Sequence, residues 1–88
     1  MEQRIRRKTA MVIKIDGRYY LSETGRIVDF NHAGIFNSPV IAKGVAEKFN
    51  DVAMNSIGMR YDLEIELVEL EYKATGVYKK FTEDKQND

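Results

Sequence analysis

From residue 10 to residue 30 the chain reads as three short β-rich runs, Met11-Val12-Ile13-Lys14-Ile15, Arg18-Tyr19-Tyr20-Leu21 and Ile27-Val28-Asp29-Phe30, punctuated by Asp16-Gly17 and Thr24-Gly25. An Asp-Gly pair between β-rich runs is the strongest short-range signal for a hairpin with a two-residue type I′ turn, because both central residues need positive φ. That turn sets Ile15 against Arg18, Ile13 against Tyr20 and Val12 against Leu21. A Thr24-Gly25 turn sets Leu21 against Val28 and Tyr19 against Phe30. Side chains alternate between the two faces of a strand, so both turns predict the same partition of a meander over 10–15, 18–23 and 26–30. One face carries Val12, Tyr19, Leu21, Val28 and Phe30; the other carries Met11, Ile13, Ile15, Tyr20 and Ile27. The first face, which holds the Tyr19 and Phe30 pair, is the expected core side.

A loop over 31–37 leads to Ser38-Pro39, a preferred N-cap followed by a preferred first helical residue. Apolar residues then recur at helical spacing at Ile41, Val45, Phe49, Val52 and Ile57, while Lys43, Glu47, Asn50, Asp51 and Asn55 fall opposite. Gly58 is placed to end the helix. Gly44 lies mid-helix at a cost of about 1 kcal/mol relative to Ala, for which close approach to the sheet is the expected compensation. Residues 61–72 alternate apolar with acidic up to Leu67, then alternate again from Val68 with the phase shifted by one. A β-bulge at Leu67-Val68 would restore one continuous apolar face. Thr75-Gly76 predicts a turn into a short last strand over 77–81. The order βββ-α-ββ is that of an α+β domain, a mostly antiparallel sheet with one helix packed on one face. It is expected over 10–81, between a basic N-terminal arm, 1–9, and a disordered polar tail, 82–88.

The hairpin run from Met11 to Leu21 resembles the opening of many small phage and prophage proteins of Gram-positive bacteria. In those, a V-I-K-x-[DN]-G-[KR]-Y hairpin precedes a strand, an Ala-rich helix with Phe, and a V-E-L-type strand. Ala42, Ala46 and Phe49, then Leu67 to Leu70, match that later pattern, so the resemblance spans residues 11–72. Met1 to Ala10 depart from it. The resemblance implies no established activity and no catalytic residues.

Composition narrows the classes. Eighty-eight residues, 43% hydrophobic and 10% aromatic, make one domain that is too apolar for a disordered chain. The absence of cysteine excludes disulfides, thiolate metal sites and a Cys nucleophile, and favours a cytoplasmic protein. No apolar run approaches the roughly 20 residues that span a membrane. Lys14 and Asp16 interrupt the apolar run that follows the N-terminal charges, which is too short for a signal peptide. Net charge is zero, yet residues 1–48 carry nine basic and five acidic side chains and residues 49–88 five basic and nine acidic. That asymmetry suits a protein partner or self-association rather than a uniformly basic nucleic-acid binder.

Candidate chemistry is sparse. His32 is the single histidine, and no second His or Cys completes a metal set or a catalytic pair beside it. Asp62, Glu64, Glu66, Glu69 and Glu71 would stand about 6.5–7 Å apart along each strand face, too wide to share a proton, and are expected to form a solvated face. Arg4, Arg6, Arg7 and Lys8 could supply about four phosphate contacts, enough only for weak, salt-sensitive binding to nucleic acid. Tyr19 and Tyr20 point to opposite faces and make no stacking platform. There is no P-loop, G-x-G-x-x-G, nucleophile elbow or H-E-x-x-H. No enzyme, cofactor, metal or small-molecule substrate is expected. The expected function is protein binding, by self-association as a homodimer or on a partner surface. Its expected contacts are Met11, Ile13, Ile15, Tyr20 and Ile27, the face that one helix leaves uncovered. Nucleic-acid binding through the basic arm is the alternative.

Overall fold

The computed structural model describes residues 4–82. Its strands are β1 (Ile5–Ile15), β2 (Tyr19–Leu21), β3 (Ile27–Val28) and β4 (Leu63–Lys73), with a 3₁₀ turn at Phe30–His32 and one helix, α1 (Pro39–Ile57). The strands form one antiparallel sheet in the order β3-β2-β1-β4, and α1 packs on one face of it. This is the expected α+β class. Residues 77–81 form no strand, and the tail over 83–88 lies outside the described residues.

The first turn has the expected chemistry: Asp16 and Gly17 take φ of 52° and 73°, and the Arg18 N–H donates to the Ile15 carbonyl at 3.1 Å. The ladder beyond it is displaced by one residue, because Ile15 opposes Tyr19 and Lys14 opposes Tyr20. The second turn carries the same displacement. The Ser22 N–H reaches the Arg26 carbonyl at 2.8 Å, Gly25 sits at φ 85°, and Leu21 opposes Ile27. A slip of one position moves every side chain of a strand to the other face. Leu21 therefore joins Met11, Ile13 and Ile15, and Tyr20 joins Val12 and Val28. The face that α1 covers is the one expected to lie open: Met11, Ile13, Ile15 and Leu21 are buried with Phe36 and Ala42 in the core cluster.

The helix ends are as the sequence predicts. Ser38 Oγ accepts from the Ile41 N–H at 3.4 Å with Pro39 in the first turn, and Gly58, at φ 70°, donates to the Met54 carbonyl at 3.1 Å. The buried stripe is rotated from the expected one. Ala42 and Ala53 are buried, Val45, Ala46 and Phe49 are half-buried, and Ile41 and Val52 are exposed. Three alanines on the inner side let the helix lie close over β1. Gly44 has no part in that approach, since a Cβ there would meet nothing within 4 Å. The connection into β4 is held by Asn50, whose side chain donates to the Tyr61 carbonyl at 3.0 Å and accepts from the Tyr61 N–H at 2.8 Å.

β4 pairs with β1 without a break, from Leu63 opposite Ile15 to Lys73 opposite Ile5. There is no bulge at Leu67-Val68. The phase shift in the sequence is carried straight into the sheet, so Leu63, Ile65 and Leu67 face the α1 side and Val68, Leu70 and Tyr72 face away. β1 begins at Ile5, which makes Arg6, Arg7 and Lys8 strand residues instead of a free arm.

Candidate interaction surface

β1 and β4 outrun the rest of the fold. Past Met11, nothing among the described residues pairs with the β2 side of β1, and residues 5–10 continue with 68–73 as a two-stranded ribbon about 20 Å long. The direction of each backbone group follows from the antiparallel alternation. Met11 exchanges both its N–H and its C=O with Phe36, each at 2.8 Å, on the side away from β4. Odd-numbered residues of β1 therefore point their backbone groups away from β4, and even-numbered ones bond to it. Ile5, Arg7 and Thr9 thus line an unpaired edge. By the same alternation Leu63, Ile65, Leu67, Glu69, Glu71 and Lys73 line a second unpaired edge along β4. Among the described residues no strand pairs with either.

The two edges carry opposite charge. β1 brings Arg6, Arg7 and Lys8, with Arg4 just before it, and β4 brings Glu64, Glu66, Glu69 and Glu71. Arg7 lies 3.3 Å from Glu71 and 3.9 Å from Glu69, both solvent-exposed pairs of small energetic weight. The Arg6 guanidinium stands 5.1 Å from the centre of the Tyr72 ring. On the face opposite α1, Glu66 accepts from Tyr20 Oη at 2.9 Å and from Lys14 Nζ at 3.4 Å. Tyr20 belongs to β2 and Glu66 opposes Val12, so the phenol crosses β1, and Val12 is buried there. The Phe30 ring meets Tyr20 edge-on at 5.1 Å between centres. Partial burial, then the bond to Glu66, pushes the Tyr20 phenol above its ordinary value, and the Glu66 carboxylate raises the Lys14 ammonium.

Large apolar side chains stand along the outer strand. α1 lies over β1, and on β4 it leaves Ile65 40% and Leu67 70% exposed. A groove of about 470 Å³ runs between α1 and β4, lined by Ala46, Glu47, Asn50, Leu63 and Ile65 among others. Ile5 and Tyr72 are exposed at the far end of the ribbon.

The five residues expected to form a docking face do not share one. Met11, Ile13 and Ile15 are core, Tyr20 lies half-buried on the opposite face, and Ile27 is exposed on β3. Of the basic residues, Arg7 is tied to carboxylates of its own chain, while Arg6 and Lys8 project from the ribbon face opposite α1. The acidic residues are divided by the phase shift: Glu64 and Glu66 face away from α1, Glu69 and Glu71 towards it. His32 Nδ1 lies 2.6 Å from Asp29 Oδ1, and this contact holds the Asp29 carboxyl below its usual range. Asp29 also caps the 3₁₀ turn through the His32 N–H. Among the described residues no group of three or more His, Cys, Asp or Glu could hold a metal ion, and no helix is long and apolar enough to cross a membrane. The sequence reading missed the two open edges and Phe36, an aromatic within a stretch read as loop. No family model, curated protein or solved structure matches the chain.

Proposed function

We propose that this protein is a non-enzymatic protein-binding module, of the kind that small phage and prophage accessory proteins represent, acting in the cytoplasm by occupying a protein surface. One observation carries the reading: an eleven-residue strand, β4, has an unpaired edge bordered by exposed Ile65 and Leu67. A free strand edge offers main-chain hydrogen bonds to an added strand, and flanking apolar side chains supply the anchors. The docking surface is thus moved from the first hairpin to the outer strand. The test is affinity capture with the intact chain and with Ile65→Ser/Leu67→Ser as baits, including a differently tagged second copy among the prey. A protein retained by the parent and lost by the double variant supports the reading. Equal retention by both overturns the assignment to β4. Binding of duplex DNA at physiological salt, with no protein retained, would replace it with the nucleic-acid reading.

A further inference from the structure

We propose that copies of this chain assemble head to tail, the free basic edge of β1 in one copy pairing antiparallel with the free acidic edge of β4 in the next. The inference rests on the protein-binding reading and names the partner as the chain itself. Each copy presents one edge of each kind, on opposite sides of the same ribbon. Symmetric pairing of β4 with β4 would bring together two strands that each carry Glu64, Glu66, Glu69 and Glu71. Pairing β1 with β1 would bring together Arg6, Arg7 and Lys8 of both copies. Like charges facing across strands are destabilising, which argues against both two-fold arrangements. The unlike edges attract.

The backbone alternation restricts the register. Odd residues carry the free N–H and C=O groups on both edges, so Ile5, Arg7 and Thr9 must meet odd residues of β4. One such register keeps residues 5–9 within β4 and sets two unlike charge pairs: Arg6 opposite Glu66 and Lys8 opposite Glu64. Those are the non-hydrogen-bonded positions, where facing side chains come closest. The same register lays Ile5 against Leu67, joining two exposed apolar side chains. No ion pair within the chain engages Arg6, Lys8 or Glu64 among the described residues. A contact that uses two different patches does not close on itself as a dimer. It propagates into a ring or a filament.

Two experiments test this on the intact chain. In the first, sedimentation velocity follows the mass of the parent, of Lys8→Glu and of Glu64→Lys across a concentration series, with circular dichroism to establish that each variant is folded. Each single variant sets like charges at the 8–64 pair of every junction and should associate about tenfold more weakly. In an equimolar mixture, alternation of the two restores an unlike 8–64 pair at every junction and should recover the parental mass. In the second, Ile5→Cys/Leu67→Cys is oxidised. The chain has no cysteine of its own. Ile5 opposes Lys73, six positions from Leu67, so the pair lies about 20 Å apart within one chain, far beyond the roughly 7 Å that a disulfide allows. A ladder of species larger than a dimer on a non-reducing gel supports the proposal. A parent that stays monomeric at high concentration, a mixture without recovery, or oxidation without a ladder overturns it. A monomer that still retains a different protein through β4 leaves the protein-binding reading standing and removes self-assembly alone.

Discussion

Replacing Ile13 by Ala tests which face of β1 the helix covers. Ile13 is 0% exposed, and its cross-strand partner Ile65 is 40% exposed on the same face. Both substitutions remove the same atoms from opposed strand positions, so strand propensity largely cancels between them. Losing about three carbon groups at about 0.8 kcal/mol each gives about 2.4 kcal/mol of transfer free energy at a fully buried site. At Ile13 the removal also leaves an enclosed void beneath α1, which brings the expected cost to about 3–4.5 kcal/mol. At Ile65 about three-fifths of the transfer applies and the gap opens to solvent, giving about 1.4 kcal/mol. A chain of this length has about 4–13 kcal/mol of total stability, so the Ile13 variant loses a large share of it. The expected drop in Tm is about 12–36 °C for Ile13→Ala and about 6–11 °C for Ile65→Ala. The assay is thermal and urea unfolding followed by circular dichroism at one low concentration, with the m-value checked for constancy. Equal losses, or a smaller loss at Ile13, would refute the burial of the Met11, Ile13 and Ile15 face.

Stability should fall on the alkaline side through the Tyr20–Glu66–Lys14 group. Tyr20 and Lys14 both titrate, in the folded state, above their ordinary values of 10.0 and 10.5. Their contribution is therefore whole below about pH 10 and is lost as pH rises past it. Tyr20→Phe should flatten that loss, and superimposable alkaline profiles for parent and variant would contradict it. Two glycines should respond with opposite sign to Ala in the same unfolding assay. A Cβ at Gly34 would sit 2.7 Å from the Glu23 backbone nitrogen, so Gly34→Ala destabilises. Gly44 lies exposed in α1 with open space around it, so Gly44→Ala stabilises by about 0.5–1 kcal/mol. The same sign at both positions would show that the close approach at Gly34 is not what requires glycine there.

Local chemistry was readable in this sequence and long-range placement was not. The Asp16-Gly17 turn, the Ser38-Pro39 start and the Gly58 stop each depend on a few adjacent residues, and each formed as expected. The register failed because the positive-φ pair states the turn type and not the length of the whole loop. Arg18 and Glu23 are accommodated as additional loop residues, since Ile15 opposes Tyr19 and Ser22 pairs with Arg26, and nothing in their side chains marks them as unpaired. Each loop holds one residue more than a two-residue turn, so both slips fall on β2, and the two turns agreed with each other and gave false support. The helix face failed for a different reason. Hydropathy favours Ile41 and Val52, whereas packing over β1 selects the small Ala42, Ala46 and Ala53, whose value is the approach they permit. Phe36 joins the sheet through a bridge to Met11, a pairing that no local pattern announces.

The outer strand shows how one such error conceals a surface. Reading the phase shift at Leu67-Val68 as a bulge keeps every apolar residue of β4 on one side and makes it an ordinary core strand. The unbroken ladder instead splits them, with Ile65 and Leu67 on the α1 side and Val68, Leu70 and Tyr72 on the other. Each half of β4 thus has an apolar side, and α1 covers neither fully. An isolated two-stranded ribbon is marginally stable in water. The exposed Arg7 pairs with Glu69 and Glu71 add little to it. A third strand laid along the β4 edge would satisfy the outward N–H and C=O groups of Leu63, Ile65 and Leu67 and cover the most exposed apolar side chain of that strand. It would convert a weak ribbon into the edge of a continuous sheet. The strand best suited by charge and by backbone direction is the first strand of another copy.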